Sequence, residues 1–444
     1  MNIKRLFPIF LLFAFASNSV TSAQDGSSNW PNWRGPNFNG VAEPTDPPEE
    51  FGESKNLKWK AAIPGLGNST PIIWEDQLIV LTAVPTDKEP GKEEEALQEG
   101  RRMGPPSNGT DQIHQFTVIS YNKNNGEINW QTVVKEELPI ERTHELGTWA
   151  SNSPVTDGKH IYAYFGSRGL FCLDFEGNVL WERDWGQMEK KMSFGEGSSP
   201  ALYKNRIAVL WDHEGDSFIT VLDTKTGKDV WKKDREEATS WSTPLILEVN
   251  GRVQVITSAT SRTRSYDLET GEIIWEGTGM TGNVIPHPVY ENGILYLMSG
   301  YRGNALQAID LLRAKGNITG TDAILWEYNQ DTPYTPSPVL KDGYLYFLRV
   351  NNGFLTCLDA KTGEVKYSKE KVEGISSLFS SPTWADGKLY IAGKESVAVV
   401  KAGPEFEQIS ENKLDDTFHA SPVIIGNDLF LRGQKSLYCF SKKQ

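Results

Sequence analysis

The sequence predicts an all-β protein, an eight-bladed β-propeller of four-stranded antiparallel blades. An N-terminal strand is predicted to close the ring by completing the last blade. Three observations support this fold: a proline-anchored repeat occurs eight times, each repeat divides into four short strands, and the last repeat lacks its fourth strand. Internal similarity at such a period is typical of propellers and other repeat folds.

Each repeat opens with a small or polar residue followed by proline, and apolar alternation follows. The anchors recur roughly 44 residues apart over most of the chain. They are Pro71, Pro154, Pro200, Pro244, Pro288, Pro338, Pro382 and Pro422. The first interval is longer because it contains residues 85–115, which are rich in Glu, Lys, Gly and Pro. We predict an exposed insertion loop there.

The second repeat shows the plan of one blade. Residues 153–156, 160–165, 170–174 and 178–182 read as four strands that are separated by turn residues. The first turn is Asp157-Gly158, which is typical of a tight hairpin.

Most blades are predicted to end in a glycine that is followed four residues later by an aromatic side chain. The pairs are Gly126 and Trp130, Gly177 and Trp181, Gly227 and Trp231, Gly271 and Trp275, and Gly363 and Tyr367. An aromatic ring at this place can pack between neighbouring blades, so we assign it to the core.

The two ends of the chain complement each other. The last repeat, residues 421–440, has three strands, and residues 56–60 read as a strand outside any repeat. If that strand completes the last blade, the sheet has no open edge.

The first residues predict export. Lys4 and Arg5 precede an apolar run that is too short to span a membrane, and small residues lead to Ala23. We expect a signal peptide at 1–23, an N-terminal extension at 24–54 and the propeller at 55–444. No later segment is apolar enough to cross a membrane, so the mature protein is expected to be soluble in the periplasm or outside the cell.

The formal net charge of −13 opposes binding to nucleic acid, which depends on cationic side chains. The three cysteines, Cys172, Cys357 and Cys439, occur in similar strand contexts. We therefore expect buried core thiols that are far from one another.

Several stretches resemble a known repeat family. They are 30–36 (WPNWRGP), 194–200 (FGEGSSP), 212–215 (DHEG), 299–303 (SGYRG) and 414–416 (LDD). With the glycine–tryptophan blade ending and the Ser-Pro strand, they are similar to the secreted PQQ-like repeat proteins abundant in planctomycetes and related bacteria. The resemblance implies a fold shared with quinoprotein dehydrogenases and with the outer-membrane assembly propeller lipoprotein.

One face of the propeller is expected to carry the longer loops, and functional groups concentrate on such loops. Polar and aromatic residues of these loops form our candidate ligand site. They are Arg168, Arg262, Arg264, Arg302, His144, Glu145, Trp149, Glu196, Asp212, His213, Glu214, Trp241, His287, Tyr301, Tyr334 and His419. Arginine and histidine together favour an anionic ligand, although arginine also joins blades by binding backbone carbonyls.

Three functions fit these observations. The first is a monomeric, non-catalytic binding or scaffold propeller of the cell envelope with a protein or glycan partner. The second is a PQQ-dependent oxidoreductase with calcium, although the chain lacks the adjacent cysteines found in many such enzymes. The third is a carbohydrate-binding or polysaccharide-active propeller, for which Glu145, Glu196, Asp212 and Glu214 are the candidate carboxylates. No catalytic or metal-binding motif is complete, so no catalytic residue is assigned.

Overall fold

The computed structural model describes residues 28–91, 107–108 and 111–442, so the predicted signal peptide lies outside the described residues. Eight antiparallel four-stranded sheets follow one another around an axis. The predicted eight-bladed all-β propeller is therefore confirmed. Within the described ranges the helices are two 3₁₀ turns, Gly166–Arg168 and Lys191–Ser193. No helix in these ranges could span a membrane.

The first four blades run from the innermost to the outermost strand in chain order. Blade 1 consists of Ile72–Trp74, Gln77–Pro85, His114–Asn122 and Ile128–Glu137. Blade 2 consists of Val155–Thr156, Ile161–Tyr164, Leu170–Leu173 and Val179–Arg183. Blade 3 consists of Ala201–Tyr203, Arg206–Trp211, Phe218–Asp223 and Asp229–Asp234. Blade 4 consists of Leu245–Val249, Arg252–Thr257, Thr263–Asp267 and Ile273–Gly277.

The next three blades repeat this order. Blade 5 consists of Val289–Glu291, Ile294–Ser299, Ala305–Asp310 and Ile324–Tyr328. Blade 6 consists of Val339–Lys341, Tyr344–Leu348, Phe354–Asp359 and Val365–Lys371. Blade 7 consists of Thr383–Ala385, Lys388–Ala392, Lys394–Lys401 and Gln408–Thr417.

Blade 8 is built from both ends of the chain. Its inner strands are Val423–Ile425, Asp428–Arg432 and Ser436–Ser441, and its outermost strand is Leu57–Ala62. That last strand pairs antiparallel with Ser436–Ser441. The predicted closure of the ring by an N-terminal strand is therefore confirmed.

Three further pairings involve short strands that lie outside the four-stranded blades. Val41–Ala42 adds in parallel to the innermost strand of blade 7, and Gly316–Asn317 adds in parallel to the outermost strand of blade 4. Thr143–His144 pairs with Ser107–Asn108, inside the predicted insertion 85–115. Most of that insertion, residues 92–106 and 109–110, lies outside the described residues.

Tryptophans of the outermost strands lie against glycines of the next blade. A Cβ on Gly177 would stand 2.7 Å from the indole of Trp130, and a Cβ on Gly227 would stand 2.6 Å from that of Trp181. Because these glycines also have positive φ, a larger residue would be strained as well as crowded. The same contact recurs between Trp59 and Gly126, Trp231 and Gly271, and Trp326 and Gly363.

Each of these five indoles also donates a hydrogen bond from Nε1 to a carbonyl of the neighbouring blade. The donor–acceptor distance is 2.7 Å from Trp130 to Phe175 and 3.0 Å from Trp181 to Thr224. The outer wall of the ring is thus joined by a repeated combination of apolar packing and one polar contact, as a buried tryptophan requires.

A belt of hydrogen bonds joins the innermost strands at the residue before each anchor proline. In seven blades this residue is Ser or Thr, and its hydroxyl oxygen accepts the backbone N–H of the same position in the preceding blade. All seven distances are 2.9 or 3.0 Å. The hydroxyl residues are Thr70, Ser153, Ser199, Thr243, Ser337, Ser381 and Ser421. The bond from Ser421 to Thr70 joins the last blade to the first.

Blade 5 departs from this pattern, because His287 takes the place of the hydroxyl residue. Its Nδ1 lies 2.9 Å from the carbonyl oxygen of Thr243, so Nδ1 carries the proton that is shared with that carbonyl. Burial lowers the pKa of His287 to about 3, and the imidazole is neutral at pH 7. The indole of Trp33 packs edge-on against it, with ring centroids 5.7 Å apart.

Trp33 belongs to an N-terminal segment, residues 30–42, that crosses the axial channel. Trp30 pairs with Ile73 in blade 1. Arg34 is fully buried and donates to the carbonyl oxygens of Pro338 and Pro382 in blades 6 and 7. These contacts lie on the innermost strands, on the short-turn side of the belt. The segment therefore fills the channel on that side.

Replacing Ser381 by alanine should destabilise the protein, because the buried N–H of Ser337 would lose its acceptor. An unpaired buried donor costs about 1–3 kcal/mol. Urea unfolding should show a loss of this size for Ser381→Ala. The matched variant Ser381→Thr keeps the hydroxyl and should unfold near the parent midpoint, because threonine occupies the same position at Thr70 and Thr243. Equal stability of all three proteins would contradict a stabilising role for the belt.

Candidate functional site

A half-enclosed cavity of about 470 Å³ lies on the loop side of the belt. Its base is formed by the seven belt hydroxyl residues and by Trp33 of the N-terminal segment. Above them, loops between blades and loops between the second and third strands of blades contribute further lining residues: Asn68, His144, Leu146, Gly147, Ser151, Phe194, Gly195, Glu196, Gly197, Trp241, Ile285, Tyr301, Tyr334, Thr335, Asn351, Phe379 and His419. The volume falls within the roughly 300–1,000 Å³ that is typical of small-molecule sites.

Aromatic rings form much of the cavity wall. Tyr301 and Tyr334 stack with their centroids 5.0 Å apart and an interplanar angle of 28°. Trp241 is held by a hydrogen bond from its Nε1 to the carbonyl oxygen of Gly195 at 2.7 Å. Phe194 packs obliquely against Trp241, and Phe379 packs edge-on against His419. These rings are fixed by their neighbours and offer a preformed apolar surface.

Six of the sixteen predicted site residues line this cavity. They are His144, Glu196, Trp241, Tyr301, Tyr334 and His419. The carboxylate of Glu196 accepts a hydrogen bond from the backbone N–H of Ser167 at 2.7 Å and lies 3.3 Å from the guanidinium of Arg168. The Nδ1 of His144 accepts the N–H of Leu146 at 3.1 Å.

Two more predicted residues, Arg168 and Trp149, line a small second pocket beside Glu196. Arg168 is buried and forms an ion pair with Glu137 at 3.4 Å in addition to its contact with Glu196. The indole of Trp149 donates to the carbonyl oxygen of Glu141 at 2.9 Å. Both side chains support the wall of the main cavity rather than lining it.

Other predicted residues form ion pairs and hydrogen bonds within or between blades. Asp212 forms a fully buried pair with Arg235, with its two oxygens 2.7 and 3.1 Å from the guanidinium. Arg264 pairs with Glu237 at 2.6 Å. Arg262 pairs with Glu276 at 2.7 Å.

The remaining predicted residues also lie outside the cavity lining. His213 is buried, and its Nδ1 accepts the N–H of Glu189 at 3.1 Å. Burial lowers the pKa of His213. Glu214 accepts the N–H of Thr239 at 3.1 Å. His287 lies in the belt beside Trp33. Glu145 and Arg302 are exposed.

Sequence reasoning missed three contributions to the cavity. The belt hydroxyls are visible in the sequence as the small or polar residue before each proline, but that pattern predicts the start of a strand and does not place the hydroxyl at the axis. Trp33 precedes the repeats and has no repeat register that could place it on the axis. Phe194 and Phe379 lie in inter-blade loops, where an apolar residue looks like ordinary core.

A family model described as outer membrane protein assembly factor BamB matches residues 114–369 and 215–444. Together these stretches cover well over half of the chain. The chain belongs to this family. The predicted PQQ-like repeat resemblance is thereby confirmed. A curated relative, the outer membrane protein assembly factor BamB of Francisella salina, is 26% identical over 106 residues, which are 24% of this chain and 18% of that protein.

Solved structures share the fold of this BamB-family chain at low identity. BamB from Moraxella catarrhalis matches with a TM-score of 0.52 at 16% identity, over 82% of this chain and 98% of that one. The computationally designed Ika8 protein matches with a TM-score of 0.51 at 12% identity, over 77% and 98% of the two chains. A europium-containing methanol dehydrogenase matches with a TM-score of 0.51 at 11% identity, over 85% and 90%. These likenesses concern the fold alone.

The cavity residues of this BamB-family chain do not fit PQQ with calcium. PQQ is a tricarboxylate, whereas none of the described lining residues is lysine or arginine and one of them, Glu196, is acidic. An unneutralised carboxylate in such a place is costly. Among the described residues, no group of three or more His, Cys, Asp or Glu side chains could hold a metal ion.

His419 is the most unusual polar group of the cavity. It is 7% exposed, and neither ring nitrogen has a hydrogen-bond partner among the described residues. Burial lowers its pKa to about 4, so the imidazole is neutral at pH 7.

We expect His419 to make the protein sensitive to acid. Its pKa is about 4 in the folded chain, and an unfolded histidine titrates near pH ~6.5. Protonation therefore favours the unfolded chain, and stability present above pH ~6.5 is lost as the pH falls through about 4, by an amount on the order of 3 kcal/mol. Urea unfolding between pH 8 and pH 4 should show a smaller acid loss for His419→Phe than for the parent. Identical acid losses would contradict this assignment.

Proposed function

We propose that this protein is an exported, non-catalytic binding propeller of the cell envelope, and that the axial cavity holds its partner. The observation that carries the proposal is the cavity itself: it is preformed, half-enclosed and lined by fixed aromatic rings and hydroxyl groups. Such a concave site with a few placed polar groups is what binding a ligand requires.

The family and the first residues support an envelope location. The matching family model is described as an outer membrane assembly factor, and residues 1–23 have the pattern of a signal peptide.

The distribution of carboxylates favours binding over hydrolysis. Of the four acidic candidates, Glu196 lines the cavity, whereas Asp212 is buried in an ion pair with Arg235. Glu145 is exposed, and Glu214 is engaged with Thr239. Glycoside hydrolysis requires two carboxylates that flank one bond, and the described lining offers one.

Filling the cavity should abolish binding. Gly197 lines the cavity, and a Cβ there would meet Trp241 at an ordinary 3.5 Å with no backbone strain, so Gly197→Phe can be accommodated and occupies the site. Gly52→Phe is the matched control outside the cavity lining, where a Cβ would meet a backbone oxygen at 3.9 Å. Protein purified without denaturant from its own envelope would be examined by native mass spectrometry. We expect a bound mass on the parent and on Gly52→Phe, and its loss from Gly197→Phe.

An unchanged bound mass on Gly197→Phe would show that the axial cavity is not the binding site. Absence of any bound mass or partner from the parent would also contradict the proposal. Export would be tested on the same preparation by N-terminal sequencing, with Gln24 as the expected first residue. An intact Met1 on protein in the cytosol would contradict export.

A further inference from the structure

The belt places a ring of unused hydrogen-bond donors at the base of the cavity. A hydroxyl group has one proton and two lone pairs. Each of the seven belt hydroxyls uses a lone pair to accept a backbone N–H, and no hydrogen bond among the described residues uses its proton. All seven residues line the cavity. A ligand seated there meets several O–H donors whose oxygens are already held in place.

The walls above the ring offer flat aromatic faces. The anchored ring of Trp241 lies in the loop between blades 3 and 4. The stacked pair Tyr301 and Tyr334 lies in loops of blade 5 and between blades 5 and 6, so the two aromatic groups line different parts of the cavity wall. The face of an aromatic ring carries partial negative charge and attracts weakly positive C–H groups. The C–H face of a saturated sugar ring meets this requirement.

The charge of the cavity selects an uncharged ligand. None of the described lining residues is a lysine or an arginine, and Glu196 is the one acidic lining residue. His419 is neutral at pH 7 because burial lowers its pKa to about 4. A carboxylate or phosphate ligand would find no cation among the described lining residues, and burying it there would be unfavourable.

From these three features we infer that the axial cavity binds the end of a neutral oligosaccharide. One sugar ring lies against the stacked pair Tyr301 and Tyr334, and its oxygens accept hydrogen bonds from the belt hydroxyls. The inference rests on the proposed function, since it assumes that the axial cavity is the binding site. A peptide segment is the competing occupant.

Calorimetric titration of the full mature chain tests this inference. The probes are three neutral trisaccharides (cellotriose, maltotriose and triacetylchitotriose) and trigalacturonic acid as the charged counterpart. We expect at least one neutral probe to bind with a Kd of about 1 mM or tighter and trigalacturonic acid to bind at least about tenfold more weakly, which corresponds to about 1.4 kcal/mol.

Single aromatic variants locate the contact. Tyr334→Ala should weaken the neutral probe by about tenfold or more, because a stacking face is lost. Tyr203→Ala is the matched control, since Tyr203 ends the innermost strand of blade 3 on the short-turn face. It should bind like the parent. Circular dichroism and urea midpoints would show that both variants are folded.

The other outcomes overturn the inference. Binding that is equal in Tyr334→Ala and the parent, or tighter binding of trigalacturonic acid than of every neutral probe, rules out a neutral sugar in this cavity. If no probe binds while the bound mass still disappears in Gly197→Phe, the cavity holds a partner of another kind, such as a peptide. The proposed function then stands and the saccharide inference fails.

Discussion

The hydrogen-bond belt around the axis is the constraint on which the other features depend. Seven of the eight innermost strands donate one backbone N–H to a hydroxyl of the next blade, and the bond from Ser421 to Thr70 joins the last blade to the first. Because the donor is a buried backbone N–H, it needs an acceptor close by. A short side chain with a hydroxyl group provides one, so Ser or Thr is favoured before the proline. The outer contacts between tryptophan and glycine hold the same blades at their rims. Together they fix the width of the channel in which the cavity lies.

The hydroxyl groups of the belt both stabilise the ring and offer hydrogen-bond donors to a ligand. Belt hydroxyls such as Ser153 and Ser199 are engaged as acceptors and remain available as donors. Blade 5 shows what happens when the hydroxyl is absent: His287 bonds a carbonyl oxygen instead and packs against Trp33. The side of the belt that faces the short turns is filled by the N-terminal segment, so the other side is left as the place for a ligand.

The internal repeat explains how much of the fold and of the candidate site could be predicted from the sequence. The four strands of blade 2 begin and end within about two residues of their predicted positions, because turn residues and alternation are local signals. The candidate site was harder to predict, because a polar residue in a loop can turn toward the axis or toward a neighbouring blade. Glu196 does the first, whereas Asp212 does neither, because it is buried in an ion pair with Arg235, which follows the outermost strand of the same blade. Trp33 was missed because it lies outside every repeat.

The contacts between the two ends of the chain also have a consequence for folding. Arg34 reaches carbonyl groups of Pro338 and Pro382, and Leu57–Ala62 pairs with Ser436–Ser441, so the first described residues make many of their contacts with the last blades. Such contacts of very long sequence separation form late, since the entropy of closing the intervening chain must be overcome first. Arg34 and the strand Leu57–Ala62 therefore lack these partners until blades 6 to 8 exist. Closing the ring and filling the channel both require the last blades. A chain whose C-terminal blades have not yet been made therefore has an open ring and an unfilled channel.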